Sequence, residues 1–387
     1  MPSKAEKMGL STIALHGGAT HGVPGDAVAG PLNQSVSFVQ EIGSSSPPLY
    51  TRYGNTPNAE IVQKRIAQLE GAEAALVLSS GMGATTCAML ALLRPGDHLL
   101  SSSWIYGGTH TLFTRELMAM GIEVTFADPT EPRAWRQALR KNTRAIFFES
   151  PVNPTCRVLD LSTLGIISKA EGIALVIDST FASPINFRPI EHGIDVVIHS
   201  ATKYLNGHHD ILAGAVCGSE PFIDEVRDKM KVFGQAPDPF ACWLLERGLK
   251  TIEIRVQRQN ESAMRIAEWC QGRKEIAKVH YPGLPTHPDH AIAKKYLRGF
   301  GGMLAIELAG GGDVSEGFIR RLRLFAYASS LGGVDSLISE PRFTSHAHQT
   351  REAREAIGIP DGFLRLSVGI ENAEDLIADI EQALPRQ

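Results

Sequence analysis

The chain has 387 residues, enough for a sizeable core and two domains, and its 43% hydrophobic and 21% charged residues are ordinary for a globular protein. A formal net charge of −4 gives no basis for binding nucleic acid or a membrane surface, and no apolar run reaches the length of a membrane span. Cys87, Cys156, Cys217, Cys242 and Cys270 are odd in number, widely spaced and without a Cys-x-x-Cys pair, which argues against a disulfide framework or zinc site and for buried thiols in a reducing cytoplasm.

Met1–Leu10 mixes Lys and Glu and lacks the apolar stretch of a signal peptide. Residues 1–60 are rich in Gly, Pro, Ser and Asn, yet Val36, Phe38, Leu49, Tyr50 and Tyr53 predict an arm that packs against something. Val62, Ile66 and Leu69 then follow the helical i, i+4, i+7 spacing, and Gly71 ends that helix. A strand over Ala75–Leu78 leads through Ser79-Ser80-Gly81-Met82-Gly83 into another helix. This turn is a phosphate cradle: the N–H groups of Gly81 and Met82 can face an anion at a helix N-terminus. It is not a dinucleotide fingerprint, because the third glycine position holds Thr86.

Further strands are expected at Leu99–Ser102, Ile122–Phe126 and Ala145–Phe148, with helices after Thr109 and from Ser162. Two more apolar runs each end in a reactive residue. Leu175-Val176-Ile177 ends in Asp178, and Val196-Val197-Ile198 is followed by His199-Ser200-Ala201-Thr202-Lys203. The alternation predicts an α/β fold with a mostly parallel sheet. A strand-end lysine alone is unremarkable; paired with a strand-end aspartate it suits pyridoxal phosphate (PLP). The lysine links to the cofactor's aldehyde, and the carboxylate keeps the pyridine nitrogen protonated so that the ring accepts electrons. Ser200 and Thr202 can donate hydroxyls to the phosphate. His208-His209-Asp210 is consecutive in a glycine-flanked loop and has no partner at ligand spacing, so no metal site is expected. A helix carrying Ile252, Val256, Ala263, Ile266 and Cys270 bridges into a second domain. There, strands are expected at Met303–Ile306, Leu324–Tyr327 and Phe363–Leu366, before a closing helix Ala373–Leu384. The expected divisions are an arm (1–60), a PLP-binding domain (61–250) and a C-terminal domain (251–387).

Ser200-Ala201-Thr202-Lys203-Tyr204 with Gly207-His208, the Glu149-Ser150-Pro151-Val152-Asn153-Pro154 segment and Arg365-Leu366-Ser367-Val368-Gly369 resemble the Cys/Met-metabolism family of PLP enzymes, from about Ile13 to Leu384. The resemblance implies fold type I: a mostly parallel seven-stranded sheet with helices on both faces, plus a smaller α+β C-terminal domain. It further implies that Lys203 carries the cofactor and moves protons, that Tyr106 stacks on the ring and assists as acid or base, and that Asn153 contacts the ring hydroxyl. Arg365, with Ser330 and Leu331, would hold the carboxylate of a small amino-acid substrate. Tyr50 and Arg52 would cross to a neighbour's phosphate in a homodimer, two of which form a homotetramer. The implied chemistry is γ-elimination or γ-replacement, as in cystathionine γ-synthases and γ-lyases, with sulfhydrylases next and then β-lyases and methionine γ-lyases. An aminotransferase or decarboxylase on the same fold, or a silent PLP-binding protein, are readings of other kinds. Leu331 stands where β-lyases carry Trp, and Gly108 where methionine γ-lyases carry Cys. Asp335 and Pro341–His346 depart from the family pattern, as does the order Gly54-Asn55-Thr56-Pro57.

Overall fold

Short apolar runs separated by helical stretches can only be buried on both faces if the helices cover the sheet they make. The computed structural model, which describes residues 8–18, 22, 24–25, 27–347 and 350–385, has that arrangement. Its larger sheet consists of β1 (Ala74–Leu78), β2 (His98–Ser102), β3 (Glu123–Ala127), β4 (Thr143–Glu149), β5 (Ala174–Asp178), β6 (Val196–His199) and β7 (Gly214–Gly218). The spatial order is β1-β7-β6-β5-β4-β2-β3. Every neighbouring pair is parallel except the two made by β7. Leu175, Val176 and Ile177 have no exposed surface, which is worth about 1.5–3 kcal/mol for each side chain so buried.

The expected arm begins differently from its composition. Among the described residues it opens with α1 (Leu10–His16), whose Ile13 and Ala14 are buried on their own chain; the first seven residues of the charged lead lie outside the described residues. Beyond α1, Val28, Val36, Val39 and Ile42 are exposed. α2 (Pro57–Glu70) starts with proline in its first turn and ends at Gly71, whose φ of +72° suits a residue without Cβ. α3 (Gly81–Leu92) follows β1 directly, and Ser80 Oγ accepts the N–H of Gly83 as its cap. The helix expected after Thr109 begins earlier, as α4 (Gly107–Thr111), and continues into a π-helical turn at Leu112–Leu117.

The helix Ile252–Gln271 links two cores: Ile252 and Val256 pack with the large sheet, Ala263, Ile266 and Cys270 with the second. That second sheet holds β8 (Ile276–His280), β9 (Met303–Leu308), β10 (Ala326–Tyr327), β11 (Leu337–Ser339) and β12 (Phe363–Ser367), ordered β10-β11-β12-β9-β8. The strand expected over Leu324–Tyr327 shrinks to its last two residues. The Asp379 carboxylate accepts the backbone N–H groups of Arg323, Leu324 and Phe325, and this removes them from any ladder. All five cysteines are buried and unbridged.

Candidate active site

The parallel strands deliver their C-terminal ends to one edge of the large sheet, the usual place for ligands in such folds. A cavity of about 480 Å³ opens there, lined by Gly81, Met82, Tyr106, Asn153, Asp178, Ser200, Thr202, Lys203, Ser330, Leu331 and Arg365. Eleven expected site residues from both halves of the chain therefore share one space. Tyr50 and Arg52 do not line it. Arg52 instead donates to Lys231 O at 2.8 Å and lies over the ring of Tyr53.

Past the end of β6 the chain turns through Ala201–Asn206, which aims Lys203 into the cavity. Burial, with a lesser push from the Arg365 charge, brings the Lys203 amine down to about 8. Its Nζ donates to Ser330 Oγ at 2.8 Å. Ser330 has φ +90°, a conformation costing a non-glycine residue on the order of 1–3 kcal/mol. Its carbonyl is used as well as its hydroxyl, for Arg365 Nη2 donates to Ser330 O at 2.9 Å. Arg365 Nη1 donates to Asn153 Oδ1 at 3.0 Å, while Nε is buried without a partner. Its neighbours Leu364 and Leu366 fill the second core, while the arginine lines the cavity.

Asp178 ends β5 and lines the same cavity as the lysine. Thr180 donates both its N–H and its hydroxyl to Asp178 Oδ1, and its Oγ1 accepts the Ser200 N–H at 2.9 Å. Burial nevertheless holds the Asp178 carboxyl above the usual carboxylate range, against the opposing influence of Thr180 and His199. Behind it, buried His199 meets buried Glu70, Nε2 to Oε1, at 2.6 Å. Thr202 Oγ1 lies against the backbone of Ala213 as well as the cavity. Tyr106 is 42% exposed at the cavity mouth, and its N–H donates to Glu149.

Several residues lining the cavity went unassigned from sequence, Thr180, Glu149 and Phe343 among them. Thr180 was signalled by the Asp-x-Thr spacing of a side-chain turn. Glu149 stood in a quoted motif without a role, and Phe343, on a segment that departs from the family pattern, carries no signal beyond its type.

The cavity fits pyridoxal phosphate. It presents a depressed lysine amine, a buried carboxylate suited to a ring cation, and a glycine at the helix start. A Cβ at Gly81 would lie 2.8 Å from Ser200 Cβ and close the gap between the two phosphate-side loops. A fold-type I sheet with these groups at its edge defines a PLP-dependent enzyme. A sequence profile of the Cys/Met metabolism PLP-dependent enzymes matches residues 11–385, and the chain belongs to that family. It is 39% identical over 393 residues to an L-methionine γ-lyase of Fusobacterium nucleatum, covering 98% of this chain and 99% of that protein. It is likewise 39% identical over 380 residues to a cystathionine β-lyase of Lactococcus lactis, covering 98% and 99%. The crystal structure of cystathionine γ-lyase from Lactobacillus plantarum, complexed with L-serine, superposes with a TM-score of 0.91 at 34% identity, over 97% of this chain and 98% of that one. The protein is thus a PLP enzyme of cysteine and methionine metabolism, and no helix among its described residues is long and apolar enough to cross a membrane.

Proposed function

We propose that the enzyme carries out γ-elimination or γ-replacement on sulfur-containing or O-activated homoserine-type amino acids, with cystathionine as the leading substrate. One observation carries the reading: the Lys203 amine and the Arg365 guanidinium both bond to Ser330, one to its hydroxyl and the other to its carbonyl. An amino acid whose carboxylate sits on Arg365 brings its α-carbon to Lys203.

Pyridoxal phosphate, when bound, supplies an electron-accepting ring conjugated to the substrate's α-carbon. Gly81, Met82, Ser200 and Thr202 would hold its phosphate, Asn153 its ring hydroxyl, and Asp178 the proton on its ring nitrogen. Arg365 orients the substrate, with Ser330 and Leu331 forming the wall beside it. Lys203 takes the proton from Cα, then moves protons at Cβ and at the departing sulfur. Tyr106, at the cavity mouth, would cover the ring face and assist as acid or base.

Tyr50 and Arg52 serve the phosphate of a neighbouring subunit. Their place outside their own cavity and the exposed apolar arm support a homodimer with shared sites, two dimers making a tetramer. We assign the arm to residues 1–60 and the domains to 61–250 and 251–387, in a cytoplasmic enzyme. The division at 250 is supported by the separate spans of the two sheets.

A second reading, γ-elimination from methionine, is favoured by the cavity's outer wall of Leu212, Phe343, Thr344 and Ser345, none of which carries a charge. Against it stands Gly108: a Cβ there would meet Tyr106 Cε1 at 2.6 Å, so a side chain at this position would move the tyrosine.

The test is a product assay on the holoenzyme with cystathionine, with O-succinyl- or O-acetylhomoserine plus cysteine, with cysteine alone, and with methionine. Cystathionine should give 2-oxobutyrate and cysteine. Pyruvate and homocysteine as main products would overturn the weight placed on Leu331, and amino-group transfer to 2-oxo acids would point to an aminotransferase.

A further inference from the structure

Glu149 is the last residue of β4, paired in parallel register with Asp178 at the end of β5, and is only 5% exposed. A second carboxylate is costly at this position. Burial and the neighbouring Asp178 charge push the Glu149 carboxyl well above its usual range. An apolar residue would avoid that cost, so the contacts made by its two oxygens are informative.

Those oxygens are divided between two walls of the cavity. Oε2 accepts the N–H of Tyr106 at 2.9 Å, at the start of α4. Oε1 accepts the N–H of Asn153 at 2.6 Å. From Asn153 the connections continue through Oδ1 to Arg365 Nη1, through Arg365 Nη2 to Ser330 O, and through Ser330 Oγ to Lys203 Nζ. One carboxylate thus joins the tyrosine wall to the network that holds the arginine and the lysine.

We infer that Glu149 is a positioning residue that couples Tyr106 to the Asn153–Arg365 pair, so that the two walls of the cavity hold their geometry as one unit. The inference rests on the proposed reading that Tyr106 faces the cofactor ring and Arg365 the substrate carboxylate. Glu149 lines the same cavity, but both its oxygens are engaged by backbone N–H groups, so it acts through the backbone of Tyr106 and Asn153.

Hydrogen-exchange mass spectrometry on the substrate-free holoenzyme tests it, comparing the natural protein with Glu149→Gln. The glutamine has the same shape but only one accepting oxygen for two donors, and its own N–H group opposes one of them. Exchange should accelerate roughly tenfold, the worth of one such bond, in both segment 103–108 and segment 151–156. Segment 143–148 of β4 should keep its protection. The visible circular dichroism of the bound cofactor should weaken, because the ring loses a fixed tyrosine neighbour. Acceleration in one segment alone, in neither, or with unchanged dichroism would overturn the coupling. Should Glu149→Gln fail to fold, the natural holoenzyme decides: coupled walls open together, and protection differing by more than about tenfold between the two segments would overturn the inference. This experiment uses no substrate. Its failure would count against the coupling, whereas failure of the product assay would count against the proposed reaction.

Discussion

Replacing Arg365 by lysine keeps the positive charge and removes the fork. In the native site Nη1 reaches Asn153 Oδ1 at 3.0 Å and Nη2 reaches Ser330 O at 2.9 Å, with Nε buried and unpartnered. A lysine ammonium is a point donor on a flexible stem and cannot span both acceptors while also meeting a carboxylate. At least one charge-assisted contact is lost, on the order of 1.5–3 kcal/mol. That corresponds to a fall in kcat/KM of roughly ten- to hundredfold, since about 1.4 kcal/mol is tenfold. KM should rise, because the carboxylate is gripped in the ground state. The fall in kcat should accompany it, because Ser330, freed from the arginine, no longer fixes Lys203. Steady-state kinetics on the substrate identified by the product assay measures both, with thermal unfolding as the control for folding. Unchanged kcat/KM in a folded variant would refute the assignment of Arg365 to the substrate.

Two other outcomes follow from the same geometry. Only the neutral amine of Lys203 attacks the cofactor's aldehyde, so depressing its pKa enlarges the reactive fraction at neutral pH; the rate at which apoenzyme reloads with pyridoxal phosphate should climb through about pH 8 and then level, whereas a midpoint near the ordinary lysine value of about 10.4 would contradict the burial argument. Lys203→Ala and Arg52→Ala proteins should each be nearly inactive, yet after subunit re-pairing about a quarter of all sites should carry neither lesion if the arms cross a two-fold axis; no recovery, with re-pairing verified, would return Arg52 to its own subunit.

The residues proposed for the chemistry stand out in the sequence because few alternatives exist for such tasks. An amine that links to an aldehyde and a carboxylate that holds a ring proton must come from a short list of side chains. Asp178 and Lys203 stand out at the ends of apolar strands for that reason. Strand existence was legible where apolar, largely β-branched runs are free of glycine, as at Leu175–Ile177. It failed at β7, whose five residues have glycine at both ends. Gly214 is there because a Cβ would lie 2.1 Å from Ser80 O, a constraint set by a loop more than a hundred positions away. It failed again at Leu324, where Asp379, far along the chain, takes the backbone donors a strand would need.

Glu149 shows why positioning residues escape a sequence reading even inside a quoted motif. Its partners are backbone N–H groups, which every residue but proline possesses, so no side-chain pattern marks them. Only the fold brings Tyr106 from one loop and Asn153 from another to the two oxygens of one carboxylate. The proposed catalytic groups and the groups that hold them obey different rules. Lys203 is defined by what it can react with, and its identity survives in isolation. Glu149 is defined by where two loops converge, and it has meaning only once the parallel register of β4 and β5 has placed it beside Asp178. The outer wall follows the second rule as well. Leu212 and the Phe343–Ser345 stretch come from two segments far apart in the chain and offer shape rather than charge, so a substrate preference set there would rest where local sequence carries the weakest signal.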